Sequence, residues 1–288
     1  MTATSILRRC KPYLGTLVEV QVCADPYVST ASLEEAVEAA YYEIATVHRL
    51  MSFHDPASEL SLLNRAPVGE WIELDVRTAS VLRSAQVLSK LSGGVFDCAI
   101  ADKLVALGLL PDLGFTAQTG VDDALRHTPA LQFRGRRVAK RRVALFDLGG
   151  VAKGYAVDRA TAVLRTHGVL AGLVNAGGDL RHFGREASLV RVRDPEHPTK
   201  IAGAVSLKDG ALATSATRPL AGAPGPEISP IYDTSLNQPH PFGQGATVCA
   251  PSCLLADALT KVVLGAGPEA QALLERLGAQ SVSFEAPA

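Results

Sequence analysis

An α+β fold is what this sequence predicts, and three observations predict it. Helical and strand periodicities are both present but do not alternate strictly, which disfavours a doubly wound parallel sheet. Short strand-like segments follow one another at 130–134, 137–139 and 142–146, and again at 202–208 and 211–215. Longer helical patterns lie on either side of these clusters. With no internal repeat and no clean linker, residues 1–288 read as a single domain, any lobes within it being discontinuous in sequence.

Val18, Val20 and Val22 alternate with polar residues, the period-two pattern of a half-buried strand. Ser32-x-x-Glu35 has the form of a capping box. Leu33, Val37, Ala40, Ile44, Val47 and Met51 then recur at helical spacing, so an amphipathic helix runs to about residue 50. A second helix fits 76–92, with Val81, Ala85 and Leu88 on one face and Gly93-Gly94 as its stop. Shorter helical patterns follow Phe96-Asp97 and span 119–127. Residues 151–167 read as a helix ending at Gly168, with strands at 169–175 and 188–193. Asp209-Gly210 reads as the turn of a hairpin joining 202–208 to 211–215. From 216 to 245 the chain is rich in Pro and Gly and lacks periodicity, a loop long enough to be functional or mobile, and a candidate lid. A strand at 246–250, helices at 252–264 and 268–277, and a strand at 280–285 close the chain.

Composition is that of a globular chain with a sizeable core: 47% hydrophobic, 20% charged. A net charge of −1 gives no electrostatic basis for nucleic-acid binding. The one basic run, Arg134, Arg136, Arg137, Lys140, Arg141 and Arg142, flanks short strands and reads as a solvated hairpin. Five cysteines at long, irregular spacing match neither a disulfide framework nor a zinc site, and read as free, mostly buried thiols. No segment approaches the ~20 apolar residues of a membrane span, so no membrane insertion is expected. MTATSILRRCKPYLGT contains no run of signal-peptide length and no lipobox-like stretch before Cys10, so a cytoplasmic location is expected.

Four segments carry chemistry. In Asp147-Leu-Gly-Gly-Val-Ala-Lys-Gly-Tyr-Ala-Val-Asp158 a strand runs through Gly149-Gly150 into a helix. Glycines there admit a phosphate to backbone N–H groups, and Lys153 adds a point charge. On spacing alone the segment is as compatible with a tight turn bearing a surface lysine. Asn175-Ala-Gly177-Gly178-Asp179 is a second strand end with paired glycines. Ala213-Thr214-Ser215 places hydroxyls at a third strand end. Ala256-Asp257-Ala-Leu-Thr260-Lys261 puts a carboxylate and an ammonium on one face of an apolar helix, either as an i,i+4 pair or aimed into a cleft.

Together with Leu14-Gly-Thr16, Met51-Ser52, Ser58-Glu-Leu-Ser-Leu-Leu-Asn64 and Ser92-Gly-Gly-Val-Phe96-Asp97, these segments resemble, in order, the motifs of the ApbE-type FAD:protein FMN transferases. The resemblance implies mixed and antiparallel sheets with flanking helices in two lobes, and FAD in the cleft between them. It implies that a Thr or Ser hydroxyl of a target flavoprotein attacks the FMN-side phosphorus and that AMP leaves. It places FAD against Met51, Ser52, His54, Phe96, Asp97, Gly149, Gly150, Lys153, Asn175, Gly177, Gly178, Asp179, Thr214 and Ser215. It implies a magnesium ion held by an aspartate and a threonine of the late helix and by a backbone carbonyl, which match Asp257 and Ala152.

The chain departs from that pattern in four places. Lys261 stands where the family has the metal-binding threonine, and an ammonium offers no lone pair to a cation. The ion is then lost, held weakly with Lys261 turned away, or replaced by Lys261 itself, paired with Asp257. Pro230 stands where the family has a histidine in Ser-His-x-x-Asp-Pro, leaving Asp233 and His240 as candidate bases. His54 replaces a tyrosine. Ala216 replaces a glycine and would be strained if the position needs positive φ. Three activities remain open on the sequence: FMN transfer without the usual metal set, FAD binding without transfer, and hydrolysis of FAD to FMN and AMP.

Overall fold

The computed structural model describes residues 6–23, 29–115, 128–194, 197, 199–218 and 228–283. Its centre is a seven-stranded antiparallel sheet. The strands, numbered along the chain, are β1 (Ile6–Tyr13), β2 (Thr16–Cys23), β6 (Gly172–Ala176), β7 (Asp179–Phe183), β10 (Ala211–Ala216), β13 (Gly245–Ala250) and β14 (Gln280–Val282), hydrogen-bonded in that order. Val18, Val20 and Val22 all point inward and are fully buried, as period two requires. Against the sheet lie α1 (Thr30–Met51), α5 (Ala152–Thr166) and α6 (Cys253–Ala266), with α5 packed between the other two. Ile44, Val47, Val174, Ala160, Leu164, Val248 and Leu259 close the core at zero exposure. Burying each of the larger side chains contributes ~1.5–3 kcal/mol. The α+β class and the antiparallel sheets follow the sequence reading.

A hairpin of β8 (Ser188–Arg193) and β9 (Ile201–Leu207) covers part of the sheet through Val190, Val192 and Leu207, which pack on Leu180, Leu212 and Cys249. This corrects the predicted hairpin at Asp209-Gly210. Asp209 does take a left-handed φ of 42°, but β9 pairs with β8, whereas β10 pairs with β7 and β13. The turn moves the chain from one sheet to another.

A smaller sheet, ordered β3 (Ile72–Glu73), β5 (Arg137–Lys140), β4 (Leu131–Arg134), lies beside α2 (Glu59–Arg65) and α3 (Val76–Leu91). The basic run is the β4–β5 hairpin, as read, although Lys140 and Arg142 are buried rather than solvated. The predicted strand at 142–146 does not form. Asn64 takes the ladder's place: its side chain accepts from Phe146 N–H at 2.8 Å and donates to Phe146 O at 2.9 Å. The Asn64 backbone carbonyl accepts from buried Lys140 Nζ at 2.9 Å.

Helix α1 begins one turn before the predicted capping box. Ser29 is its cap, and the Ser29 hydroxyl accepts from Ser32 N–H at 3.1 Å. The end of the chain forms a 3-10 turn (Gly267–Ala270) and α7 (Gln271–Arg276), where a single helix is predicted. The helix expected at 119–127 lies outside the described residues. The stretch read as a loop contains a two-residue ladder of β11 (Tyr232–Asp233) and β12 (Gln238–Pro239). Thr234 Oγ1 fastens it to Gly94 O at 2.8 Å and Val95 O at 3.0 Å. Residues 228–245 thus carry local structure within the stretch read as a loop. Among the described residues no helix is long and apolar enough to cross a membrane. All five cysteines are free, with Cys98, Cys249 and Cys253 buried.

Candidate functional site

A cleft of about 390 Å³ opens where five segments meet: the 95–100 loop before α4 (Ala101–Ala106), the turn 147–150 with the start of α5, the end of β10, 230–234, and α6 at Lys261. Phe96, Asp97, Gly149, Gly150, Lys153, Thr214, Ser215 and Lys261 line it, as do Asp147, Ala216 and Pro230. A larger cavity of about 510 Å³ lies beside it between α3 and β4, sharing Asp97 and Cys98. Its glycine pair is Gly93-Gly94 and its one lysine is Lys90, whereas the smaller cleft gathers Gly149-Gly150 at a helix start with Lys153 and Lys261, so the smaller cleft is the candidate site.

The cleft's charge is organised around Asp257 on α6, whose side chain is fully buried. Lys261 Nζ donates to Asp257 Oδ1 and, at 3.0 Å, to Asp257 O. Lys153 Nζ lies 3.5 Å from Asp257 Oδ2, and Gly154 N–H donates to that same oxygen at 3.2 Å. Asp257 is thus the anion at the N-terminal turn of α5, where the helix dipole favours negative charge. Gly154 makes this approach: a Cβ there would stand 2.3 Å from Cys253 O. Lys153 Nζ also lies 2.8 Å from Asp179 Oδ2. Burial and the nearby Asp257 push the Asp179 carboxyl up, while Lys153 pulls it down. Burial disfavours the charge on Lys153, but Asp179 and Asp257 outweigh it and keep the ammonium protonated.

Gly150 packs against Phe96, where a Cβ would come within 3.4 Å of the ring. Asp147 holds Gly149 N–H at 3.1 Å. Burial pushes the Asp147 carboxyl up, with Gly149 N–H, His54 and Lys153 opposing. Thr214 Oγ1 lies 3.1 Å from Thr247 Oγ1 across the β10–β13 ladder. Ser215 Oγ lies 2.7 Å from Thr260 Oγ1, which donates to Asp257 O at 2.6 Å. Thr260 is fully buried and committed to these two bonds.

Several candidates fall outside the cleft wall. Asn175, Gly177 and Gly178 form the β6–β7 turn: Gly178 N–H donates to Asn175 Oδ1 at 2.9 Å, and both glycines have positive φ. A Cβ on Gly177 would meet Thr16 Oγ1 at 2.5 Å, which explains this glycine by packing. Met51 is a buried end of α1, Ser52 is its C-cap, and His54 is exposed beyond it. Ala152 is the first residue of α5, buried, and not among the lining residues. Asp233 and His240 are both buried and neither lines the cleft, although their neighbours Tyr232 and Thr234 do. Ala216 ends β10 opposite Gly245, and positive φ among described non-glycine residues is confined to Leu14, Asp209 and Asn237. The feared strain at Ala216 is absent.

The sequence reading left Asp147 out of its candidate set. The signal was there, a carboxylate closing a strand just before paired glycines, but in such a turn it reads as a cap for the glycine N–H, which it also is.

The model of the ApbE family matches residues 14–283. A Rhodobacter capsulatus protein named FAD:protein FMN transferase is 30% identical over 268 residues, 88% of this chain. This chain spans only 50% of that relative's length. A Chlamydia pneumoniae protein of the same name is 29% identical over 248 residues, covering 81% of this chain and 76% of the relative. The crystal structure of the ApbE protein from Thermotoga maritima aligns with a TM-score of 0.81 at 27% identity, over 96% of this chain and 93% of that one. The apo flavinyl transferase ApbE of Pseudomonas stutzeri shares the fold, with a TM-score of 0.77 at 23% identity over 98% and 93% of the two chains. Matched over nearly its whole length and sharing the fold of these structures, the chain belongs to the ApbE family.

Proposed function

We propose that this protein transfers FMN from FAD to a Thr or Ser hydroxyl of a target flavoprotein, releasing AMP. The observation that carries the reading is a glycine-floored cleft with two ammonium groups, Lys153 and Lys261, in a chain of this family. Such a cleft suits a pyrophosphate: the glycines let it approach, and the ammoniums meet its charge. The acceptor oxygen bonds to the FMN-side phosphorus as that phosphorus loses its bond to the bridging oxygen. AMP keeps the bridging oxygen and leaves as a phosphate whose second pKa is ~6, so it needs no proton from the enzyme. The hydroxyl proton passes to a base.

Asp147 and Asp97 are carboxylates on the cleft wall, and burial pushes the Asp147 carboxyl up, which makes it a stronger proton acceptor than an ordinary carboxylate. Asp233 is a poor base. Burial raises its carboxyl, but the Ser235 hydroxyl, the N–H groups of Leu236 and Ser235, and His240 together hold it below its ordinary value.

A magnesium ion, where bound, would supply positive charge to the pyrophosphate. The residues here do not fit one. Both oxygens of Asp257 are taken by ammonium or N–H donors, Lys261 occupies the threonine position, and Thr260 is turned into the core. Among the described residues no group of three or more His, Cys, Asp or Glu gathers to hold a metal.

The test is a mass spectrum of a candidate acceptor flavoprotein after incubation with this protein and FAD. A gain of one FMN mass, on a Thr or Ser and dependent on this protein, is the expected result. FAD binding with no gain on any acceptor supports the second reading, a flavin-binding protein without transfer, which Pro230 in the cleft wall favours.

A further inference from the structure

We propose that Lys261 and Lys153, held on opposite oxygens of Asp257, act as a built-in cation that binds the pyrophosphate of the nucleotide substrate in place of a metal ion. The proposal takes only the identity of the ligand, FAD, from the function proposed above.

Four groups form the device: Asp179 and Asp257 are buried behind it, each paired with an ammonium, and the ammoniums of Lys153 and Lys261 are the charges that reach the cleft wall. Lys153 bridges Asp179 and Asp257, and Lys261 closes the far oxygen of Asp257. No additional cation is needed to neutralise the carboxylates. A metal ion entering at Asp257 would have to displace an ammonium from either oxygen and then face both at short range. The hydroxyl one residue before Lys261 offers no alternative ligand, because Thr260 Oγ1 is 2.6 Å from Asp257 O and 2.7 Å from Ser215 Oγ.

The same geometry leaves donors for phosphate. An ammonium carries three N–H donors. Lys261 spends its contacts on two Asp257 oxygens, one of the side chain and one of the backbone, and so keeps a donor for a phosphate oxygen. Its side chain lies on the cleft wall beside Gly150, where a Cβ would come within 3.7 Å of Lys261 Cε. Lys153 Nζ has acceptors for all three of its donors, in Asp179 Oδ2, Asp257 Oδ2 and, at 3.3 Å, Gly149 O, so it offers an anion charge while Lys261 offers charge and a hydrogen bond. Lys261 then stabilises charge on the pyrophosphate oxygens directly, with no proton transferred.

The test is FAD affinity of the metal-stripped protein, read by flavin fluorescence in EDTA and in excess magnesium, alongside variants checked for folding by thermal melting. Wild-type protein should bind FAD with the same Kd, within about twofold, in both conditions. Lys261→Met should weaken binding about ten- to a hundredfold, the worth of one charge-assisted hydrogen bond, and magnesium should not rescue it. Lys261→Arg, which keeps the charge, should lose less. Lys261→Thr frees Asp257 Oδ1 and adds a hydroxyl, so it should bind weakly in EDTA and recover at least about tenfold in magnesium. Wild-type protein that binds FAD tenfold or more tightly in magnesium overturns the proposal, and so does a folded Lys261→Thr variant indifferent to magnesium. Absence of FAD binding in both conditions overturns it as well. Metal-independent binding with no acceptor modified defeats the transfer reading and leaves the built-in cation standing.

Discussion

Two buried carboxylates sit near the cleft, and their surroundings are opposite. Asp257 is ringed by donors that themselves reach the cleft, the ammoniums of Lys153 and Lys261. Asp233 is ringed by donors that belong to its own hairpin: the Ser235 hydroxyl at 2.5 Å and the N–H groups of Ser235 at 2.8 Å and Leu236 at 3.0 Å. His240 completes that second group, its Nε2 4.0 Å from Asp233 Oδ2. The first cluster presents its ammoniums on the cleft wall, whereas the second spends its hydrogen-bonding capacity on holding a turn. A polar residue at a family motif position is thus not by itself part of the chemistry. What decides is whether its partners face the cleft or the fold.

Lys153 should show the largest effect, because it alone among the described residues forms ion pairs with both Asp179 and Asp257. Lys153→Met removes a cleft ammonium and leaves two buried carboxylates facing each other with one counter-charge fewer. Transfer should fall ~10²–10³-fold, as for loss of one transition-state donor. Breaking a buried pair costs ~3–5 kcal/mol, and the partial exposure of this ammonium places the expected loss at or below the lower end. Urea unfolding and single-turnover transfer rates measure the two effects. A variant that unfolds early yet transfers at the wild-type rate would move Lys153 into the second class.

Asp233→Ala should do the reverse. It strands the donors of Ser235 and Leu236, at a cost of ~1–3 kcal/mol, while leaving the FAD Kd unchanged. The pH dependence follows from the direction of its shift. The folded carboxyl is held below its unfolded value, so its stabilising contribution is present above the unfolded pKa of ~3.9 and is lost as pH falls through the folded value. The wild-type and Asp233→Ala unfolding curves should converge on acidification. Curves that stay parallel down to pH 2 would deny the carboxylate this role.

Asp147 has the opposite sign and a smaller effect. Its folded pKa is raised by burial, so its contribution is most favourable below the unfolded pKa and declines as pH rises through the folded value. Asp147→Asn should therefore stabilise the free protein at pH 7, by up to ~1 kcal/mol, and the gain should vanish below about pH 4. Transfer should drop in the same variant, since the carboxylate that destabilises the fold also lies on the cleft wall. Thermal melts at both pH values, with transfer rates at pH 7, test the pairing.

The sequence exposed the parts whose signals are local. Valine alternation found β2, helical spacing found α1, α5 and α6, and the paired glycines at 149–150 found the cleft floor. It missed what depends on distant partners. The 142–146 segment has strand composition but finds Asn64, 82 residues from Phe146, where a strand would stand. The Asp209-Gly210 turn has hairpin chemistry, yet sheet membership is set by which strands are already paired. Lys261 was legible as a departure from a motif, but the second ammonium on Asp257, that of Lys153, 104 residues away in sequence, was not. Gly177 was legible as one of a glycine pair, but its close neighbour, the side chain of Thr16, was not.

His240 should show the smallest effect, and its silence bears most directly on the contrast between the two clusters. An imidazole in the stretch that carries Pro230 is the natural replacement for a missing histidine base. Here its side chain is only 5% exposed, its backbone N–H is bonded to Ile231 O at 2.9 Å, and its ring faces Asp233 rather than the cleft. A general base needs hydrogen-bond reach to the proton it takes. His240→Gln should therefore leave the pH–rate profile of transfer unshifted between pH 5.5 and 8, the range in which an unperturbed imidazole titrates. Stability should fall by no more than ~1 kcal/mol, since the ring only flanks the carboxylate that holds the turn. Loss of an ionisation from the profile of this variant would place His240 in contact with the acceptor hydroxyl. The hairpin would then have to turn over on binding FAD, breaking the Thr234 bonds to Gly94 and Val95, and the boundary between the two clusters would hold only for the free protein.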